Sequence, residues 1–202
     1  ISKFYRINGS TTQRLGVLSD VELPSVYDHL GMGEGKLPRA LEADKINKVT
    51  YKKLNRVDPF LTSLRNSSTK RVGKSPDFKY INEDIIRAKK RLKDKSVSLN
   101  EAERRKERAD IKTRIADRNK ERAGRKQPTE KYFEIDVKGA EANKPLKKLA
   151  APKPKVEQAD TPPIPQDDSN TFSIDATLRE TLDVLSDYMR LRDVLPNVSR
   201  RE

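Results

Sequence analysis

The sequence predicts an α+β chain, mostly α-helical, with an N-terminal β-hairpin and a Pro-rich extended segment ahead of a last amphipathic helix. Three observations predict it. Apolar residues recur at helical spacing through residues 59–92 and again through 178–189, whereas β-like patterning is confined to the first 18 residues and a short island at 133–137. Seven of the twelve prolines fall between Gln127 and Ser173. Hydrophobic residues make up 33% of the chain against 37% charged. Ordering each residue costs roughly 1–2 kcal/mol, so this apolar supply supports a modest core and long solvated stretches.

Taken in order, Lys3-Phe4-Tyr5-Arg6-Ile7 and Leu15-Gly16-Val17-Leu18 read as two strands joined around the tight Asn8-Gly9 turn. A lone two-stranded hairpin is marginal in water. With Ile1 at its head, it predicts a chain that starts inside a longer protein, next to missing sheet partners. Residues 26–57, carrying Gly31, Gly33, Gly35 and Pro38, read as an irregular connection with short helices around Leu41 and Tyr51. Asp58-Pro59 is a helix start, with Phe60, Leu61 and Leu64 on one face. Ser75-Pro76 repeats it, and Phe78, Ile81, Ile85 and Leu92 continue one apolar stripe. Ser98-Leu99-Asn100-Glu101 reads as a capping box whose helix runs to Ala123, where Gly124 takes a left-handed exit. Within the Pro-rich stretch 127–173, Phe133, Ile135 and Val137 alternate with Glu134 and Asp136 as in a half-buried strand. Asp175 then caps a terminal helix in 174–202, whose Leu178, Leu182, Leu185 and Met189 stripe is expected to pack on its own domain.

Composition excludes much chemistry. With no Cys and a single His, His29, no zinc site built from Cys and His and no thiol nucleophile can form. No run reaches the roughly 18 apolar residues that a membrane-spanning helix needs. Ser67-Ser68-Thr69-Lys70 matches the S-x-x-K pattern of penicillin-recognising serine enzymes, but 14 Ser and 24 Lys generate about one to two such matches by chance, and the companion S-D-N and K-T-G motifs are missing. His29 reads as a surface histidine, Gly31-Met32-Gly33-Glu34-Gly35 as a flexible loop, and Asp167-Asp168 as linker charge. No catalytic, cofactor-binding or metal-ligating residue is assigned.

The formal charge of +13 concentrates in Asp84–Lys126, with 17 basic and 8 acidic residues. A basic helix there could follow nucleic-acid phosphates, which is the alternative reading of the chain. Against it, the stretch has no Phe, Tyr or Trp for base stacking. Glu101 with Arg105, Asp110 with Arg114 and Glu121 with Arg125 also stand four apart, as in a solvated, ion-paired helix.

Phe4-Tyr5-Arg6-Ile7-Asn8-Gly9-Ser10-Thr11-Thr12-Gln13, then Gly16-Val17, Asp20 and Leu23-Pro24-Ser25, resemble the segment that follows the active site in tail-specific, C-terminal-processing serine proteases, approximately F-Y-R-x-N-G-G-S-T-Q-x-x-G-V-x-P-D-I-x-x-P. Ser10 replaces the second glycine and Ser19 the proline. The resemblance continues through Gly33-Glu34-Gly35-Lys36, Lys74-Ser75-Pro76-Asp77-Phe78, Val97-Ser98-Leu99-Asn100 and Leu178-Arg179-Glu180-Thr181. It implies a parent polypeptide with a PDZ domain and a Ser–Lys dyad that hydrolyses proteins with apolar C-termini, in the periplasm or cell envelope of a bacterium. The dyad would lie upstream of Ile1, so this chain alone would be inactive. On that reading, residues 1–25 are the closing strands of the protease domain, 26–57 the connection, 58–126 a helical C-terminal region, 127–173 the extended segment and 174–202 the last helix. Its implied partners are protein substrates, the upstream protease and PDZ domains and an accessory adaptor. Nucleic acid is not among them, and no cofactor is implied.

Overall fold

The computed structural model describes residues 3–126, 131–141, 143–150 and 175–194. As the sequence predicts, it is mostly helical with a little β structure. Its elements are α1 (Leu61–Lys74), α2 (Pro76–Asp94), α3 (Glu101–Ala123), β1 (Tyr132–Glu134), α4 (Val137–Glu141), β2 (Lys147–Leu149) and α5 (Ala176–Val194). Two compact units result: residues 1–96 with 176–202 form one, and 97–175 the other.

In the first unit the Asn8-Gly9 turn forms, with Tyr5 bridging Thr11 and Arg6 N donating to Ser10 O (2.8 Å). The expected second strand at 15–18 does not pair: Leu15, Val17 and Leu18 are exposed. Residues 45–49, expected inside an irregular helical connection, provide the pairing instead. Ser10 bridges Lys45, Ile46 N donates to Gly9 O (2.9 Å), and Val49 N donates to Ile7 O (3.0 Å). Gly9 is needed here twice over. Its φ is +81°, and a Cβ would stand 2.1 Å from Ile46 O. Residues 40–57 contain no helix, and the single turns of the connection lie earlier, at Tyr27–His29 and Glu34–Lys36.

Asp58 does not cap α1. Asp58–Phe60 forms a tight 3₁₀ turn ahead of the helix, and the Asp58 carboxylate pairs with Lys53. The cap at Ser75 forms as expected, its Oγ accepting from Phe78 N (3.4 Å). Pro76 then sits at the first helical position, where a missing N–H costs nothing. Phe60, Leu64, Phe78 and Ile85 are the buried hydrophobic residues of this unit among those described, all from the two predicted stripes. The stripe fades along α2, where Leu92 is exposed. Lys95 closes α2 in the left-handed conformation (φ 51°), without the glycine that usually marks such an exit.

In the second unit the capping motif shifts by two residues. Asn100, not Ser98, is the cap of α3, its Oδ1 accepting from Ala102 N (2.9 Å) and Glu103 N (3.4 Å). Ser98 Oγ accepts from Asn100 N and fixes the capping residue (3.1 Å). Glu101 is thereby released to pair with Arg105 (2.6 Å). At the other end Gly124 is right-handed (φ −79°), its N–H shared between Lys120 O and Glu121 O, so the expected left-handed exit does not occur. The predicted island at 133–137 is a strand only over Tyr132–Glu134. It pairs antiparallel with β2 in the register Tyr132–Leu149, Phe133–Lys148 and Glu134–Lys147. Val137 instead opens α4, because the Asp136 carboxylate accepts from Gly139 N (2.5 Å) and starts a helical turn.

Replacing Phe60 with Ala should lower unfolding stability by about 3–5 kcal/mol in a denaturant titration, since it opens the centre of a core with few buried side chains. At the N-terminus the Tyr5 hydroxyl donates to both Asp44 oxygens (3.0 Å), and Lys3 pairs with Asp44 (3.1 Å). Lys3, then Tyr5, hold the Asp44 carboxyl below its ordinary range, while Asp44 pushes the Tyr5 phenol above its own. The Asp44 contribution is present above its unfolded value near 3.8 and is lost as pH falls through the depressed folded one. The Tyr5 contribution holds below 10.0 and is lost as pH rises through the raised value. Amide protection of Ile46 and Val49 should therefore decline at both extremes in wild type, and Asp44→Asn should remove the acid-side decline.

Candidate functional site

Helix α5 returns to α1 from more than 100 residues away, and one arginine fixes how it lies. Arg71 Nε donates to both Glu180 oxygens (3.1 Å each), Arg71 Nη2 to Glu180 Oε1 (2.8 Å), and Arg71 Nη1 to Asp187 Oδ2 (2.6 Å). Glu180 and Asp187 stand seven residues apart, two turns along one helix face, so a single planar guanidinium can span both. Glu180 is only 4% exposed. These bonds, Glu180 first, raise the Arg71 pKa further above its already high range, so the guanidinium keeps its charge at any working pH. Farther along α5, Tyr188 lays its ring edge-on against Phe60 (centroids 5.9 Å apart, 75° between planes) and its hydroxyl reaches Arg56 O (3.3 Å).

This arrangement reverses the expectation for the last helix. The less exposed residues of α5 are Ala176, Arg179, Glu180, Val184, Asp187, Tyr188 and Leu191. The Leu178, Leu182, Leu185 and Met189 stripe, expected to pack back on its own domain, is exposed by 39–51%. Both faces of the helix carry apolar residues, so hydrophobicity alone cannot choose between them. The choice is made by Glu180 and Asp187, which meet their cation, Arg71, on the α1 side. Sequence reasoning missed Arg71, Glu180 and Asp187; the available signal was two carboxylates at i, i+7 among apolar residues on the face opposite the leucines.

The other singled-out residues are scattered. Ser68 lies on α1 and is 2% exposed, while Lys70 is exposed on the same helix. His29 ends an exposed 3₁₀ turn, and Gly33 precedes the turn at Glu34–Lys36. Asp167 and Asp168 lie outside the described residues. Among the described residues no group of three or more Asp, Glu, His or Cys is placed to hold a metal ion. No described helix is long and apolar enough to cross a membrane. On α3, Arg104 pairs with Glu107 (2.5 Å) and Arg105 with Glu101 (2.6 Å), and just past its end Arg125 pairs back with Glu121 (2.5 Å).

A family model described as the C-terminal domain of tail specific protease matches residues 27–190. A tail-specific protease of Haemophilus influenzae is 36% identical to this chain over 103 residues, which are 50% of this chain and 15% of that protein.

Replacing Arg71 with Met should strand the buried Glu180 carboxylate and cost about 3–5 kcal/mol, read as a lower denaturant midpoint. Amide exchange should accelerate first in α5. Adding Glu180→Leu and Asp187→Leu to the same chain should recover much of that loss, because the penalty is an uncompensated buried charge and not the absence of an ion pair.

Proposed function

This chain belongs to the family of C-terminal domains of tail-specific proteases, and we propose that it is the non-catalytic C-terminal part of a serine endopeptidase that processes proteins from their C-terminal tails. The observation that carries the reading beyond family membership is the outward stripe of α5. A helix fixed by a buried ion pair and an aromatic contact holds Leu182, Leu185 and Met189 toward solvent at rigid spacing. Such a face suits docking of another protein surface by i, i+3, i+7 anchors. The protein so docked is an accessory adaptor or a substrate being guided to the catalytic chamber.

The Ser–Lys dyad lies in the protease segment ahead of this chain. There a lysine with a pKa lowered by burial serves as general base for the serine. In this chain Ser67 and Lys70 share one helix as a chance match. Residues 1–25 close the protease domain, 26–57 connect it to the helical region 58–126, and 127–173 lead to the last helix, 174–202. The family match beginning at Tyr27 supports a division close to residue 25. The periplasm or cell envelope of a bacterium is the compartment that fits such an enzyme, and the bacterial relative supports it. The nucleic-acid reading is weaker, because Arg104, Arg105 and Arg125 are engaged by glutamates of α3.

Two measurements test this. The 202-residue chain alone should cleave no apolar-tailed protein, whereas the polypeptide joining it to the protease segment should cleave, and replacing the upstream lysine should abolish the activity; a joined polypeptide without activity overturns the protease reading. In that polypeptide Leu182→Glu with Leu185→Glu should leave hydrolysis of a short unstructured apolar-tailed peptide within about twofold and cut processing of folded substrates at least about tenfold. Equal processing of both substrates by the variant rules out docking through α5.

A further inference from the structure

A second site stands on the opposite flank of α1. Ser19, Asp20, Val21, Glu22 and Pro24 form one wall of an open groove of about 510 Å³, and Arg65, Ser68, Thr69 and Val72 of α1 form the other. Arg65 Nε donates to Asp20 O (2.8 Å) and fixes the distance between the walls.

Two features of the lining bear on what the groove can hold. Ser68 is 2% exposed as a residue and lines the groove, and its hydroxyl makes no hydrogen bond among the described residues, so what exposure it keeps is open to a ligand. A hydroxyl so placed normally bonds the carbonyl four residues back, as Thr69 does to Arg65 O (2.8 Å). Residues 19–24 also make no backbone–backbone hydrogen bond among the described residues, so apart from Asp20 O, which Arg65 holds, and Pro24, which has no N–H, this wall offers main-chain donors and acceptors. The charges on that wall select the occupant. Asp20 and Glu22 outnumber Arg65, whose guanidinium is turned to the wall itself, and Lys53, close enough to feel Asp20, is held by Asp58. Two carboxylates repel a peptide's free C-terminal carboxylate and attract a basic side chain.

We propose that this groove binds an internal, extended peptide segment, pairing main chain to main chain along residues 19–24, with a lysine or arginine of the segment held by Asp20 and Glu22 and a peptide group meeting the Ser68 hydroxyl. Val21, Pro24 and Val72 supply the apolar contact for the flanking side chains. The site is distinct from the outward face of α5 and does not depend on docking there.

The test is calorimetric titration of the complete 202-residue chain with a blocked Val-Thr-Arg-Val-Thr-Val peptide. One-to-one saturation is expected, weakened at least about tenfold by Asp20→Asn with Glu22→Gln, or by glutamate in place of the peptide's arginine. Ser68→Ala breaks no internal bond, so it should keep the fold while weakening binding about threefold or more. No saturation at roughly 1 mM overturns the proposal, as does equal affinity for the arginine and glutamate peptides. Ser68→Ala that only raises the unfolding temperature, with binding unchanged, also overturns it by making the bare hydroxyl a packing feature. A last arm uses the polypeptide joined to its protease segment. Binding retained there is expected, and binding lost there but kept by the 202-residue chain shows that the segment's own strand fills the groove, which overturns a recruited peptide.

Discussion

The first unit depends on one charge. Arg71 meets two carboxylates from a helix that the chain reaches only after the whole second unit has intervened, and the rotation of α5 about its own axis follows from that meeting. With Glu180 and Asp187 turned inward, Tyr188 is brought onto Phe60 and the leucine stripe is turned outward. A hydrophobic face turned in would bury more apolar area. It would also leave Glu180 and Asp187 in water and Arg71 without its partners, and the small core could not then hold α5 in a unique register. The ion pair need not add much net stability to do this. Buried pairs often come close to balancing their desolvation, and their value here is in deciding which of two apolar faces is covered.

Both units show how a charge-rich sequence of low hydrophobic content still specifies structure. The helices of this chain are set by polar events at their ends as much as by cores. Ser75 caps α2, Asn100 caps α3 and Asp136 starts α4. Along α3 the glutamate–arginine pairs each add only about 0.2–0.5 kcal/mol. Their role is to support a solvated helix from its own surface.

Legibility from the sequence followed the range of the interaction. Helix existence and the Phe60, Leu64, Phe78 and Ile85 core were readable because apolar periodicity and the Ser75-Pro76 start are local signals. The Asn8-Gly9 turn was readable for the same reason. Its partner was not: the pairing segment lies at 45–49 and not at 15–18, and nothing in either stretch announces a contact about 40 residues away. Capping failed by small steps where several polar residues compete, as at Ser98 and Asn100, or where an aspartate finds a cation first, as Asp58 does with Lys53. The outward leucines were the largest miss. Deciding between two amphipathic faces needed Arg71, 109 residues away from Glu180, which no windowed reading includes.

That separation has a consequence for the order of events at the ribosome. Asp187 follows Arg71 by 116 residues, so α1 emerges long before the helix that completes it. At synthesis rates of roughly 5–20 residues per second the wait is about 6–23 s, far beyond the microseconds in which a helix forms. Throughout that interval Phe60 lacks the Tyr188 ring and the Arg71 guanidinium remains in water. A transcript cut short anywhere before α5 therefore yields a chain in which Phe60 never meets the Tyr188 ring and Arg71 never meets its carboxylates.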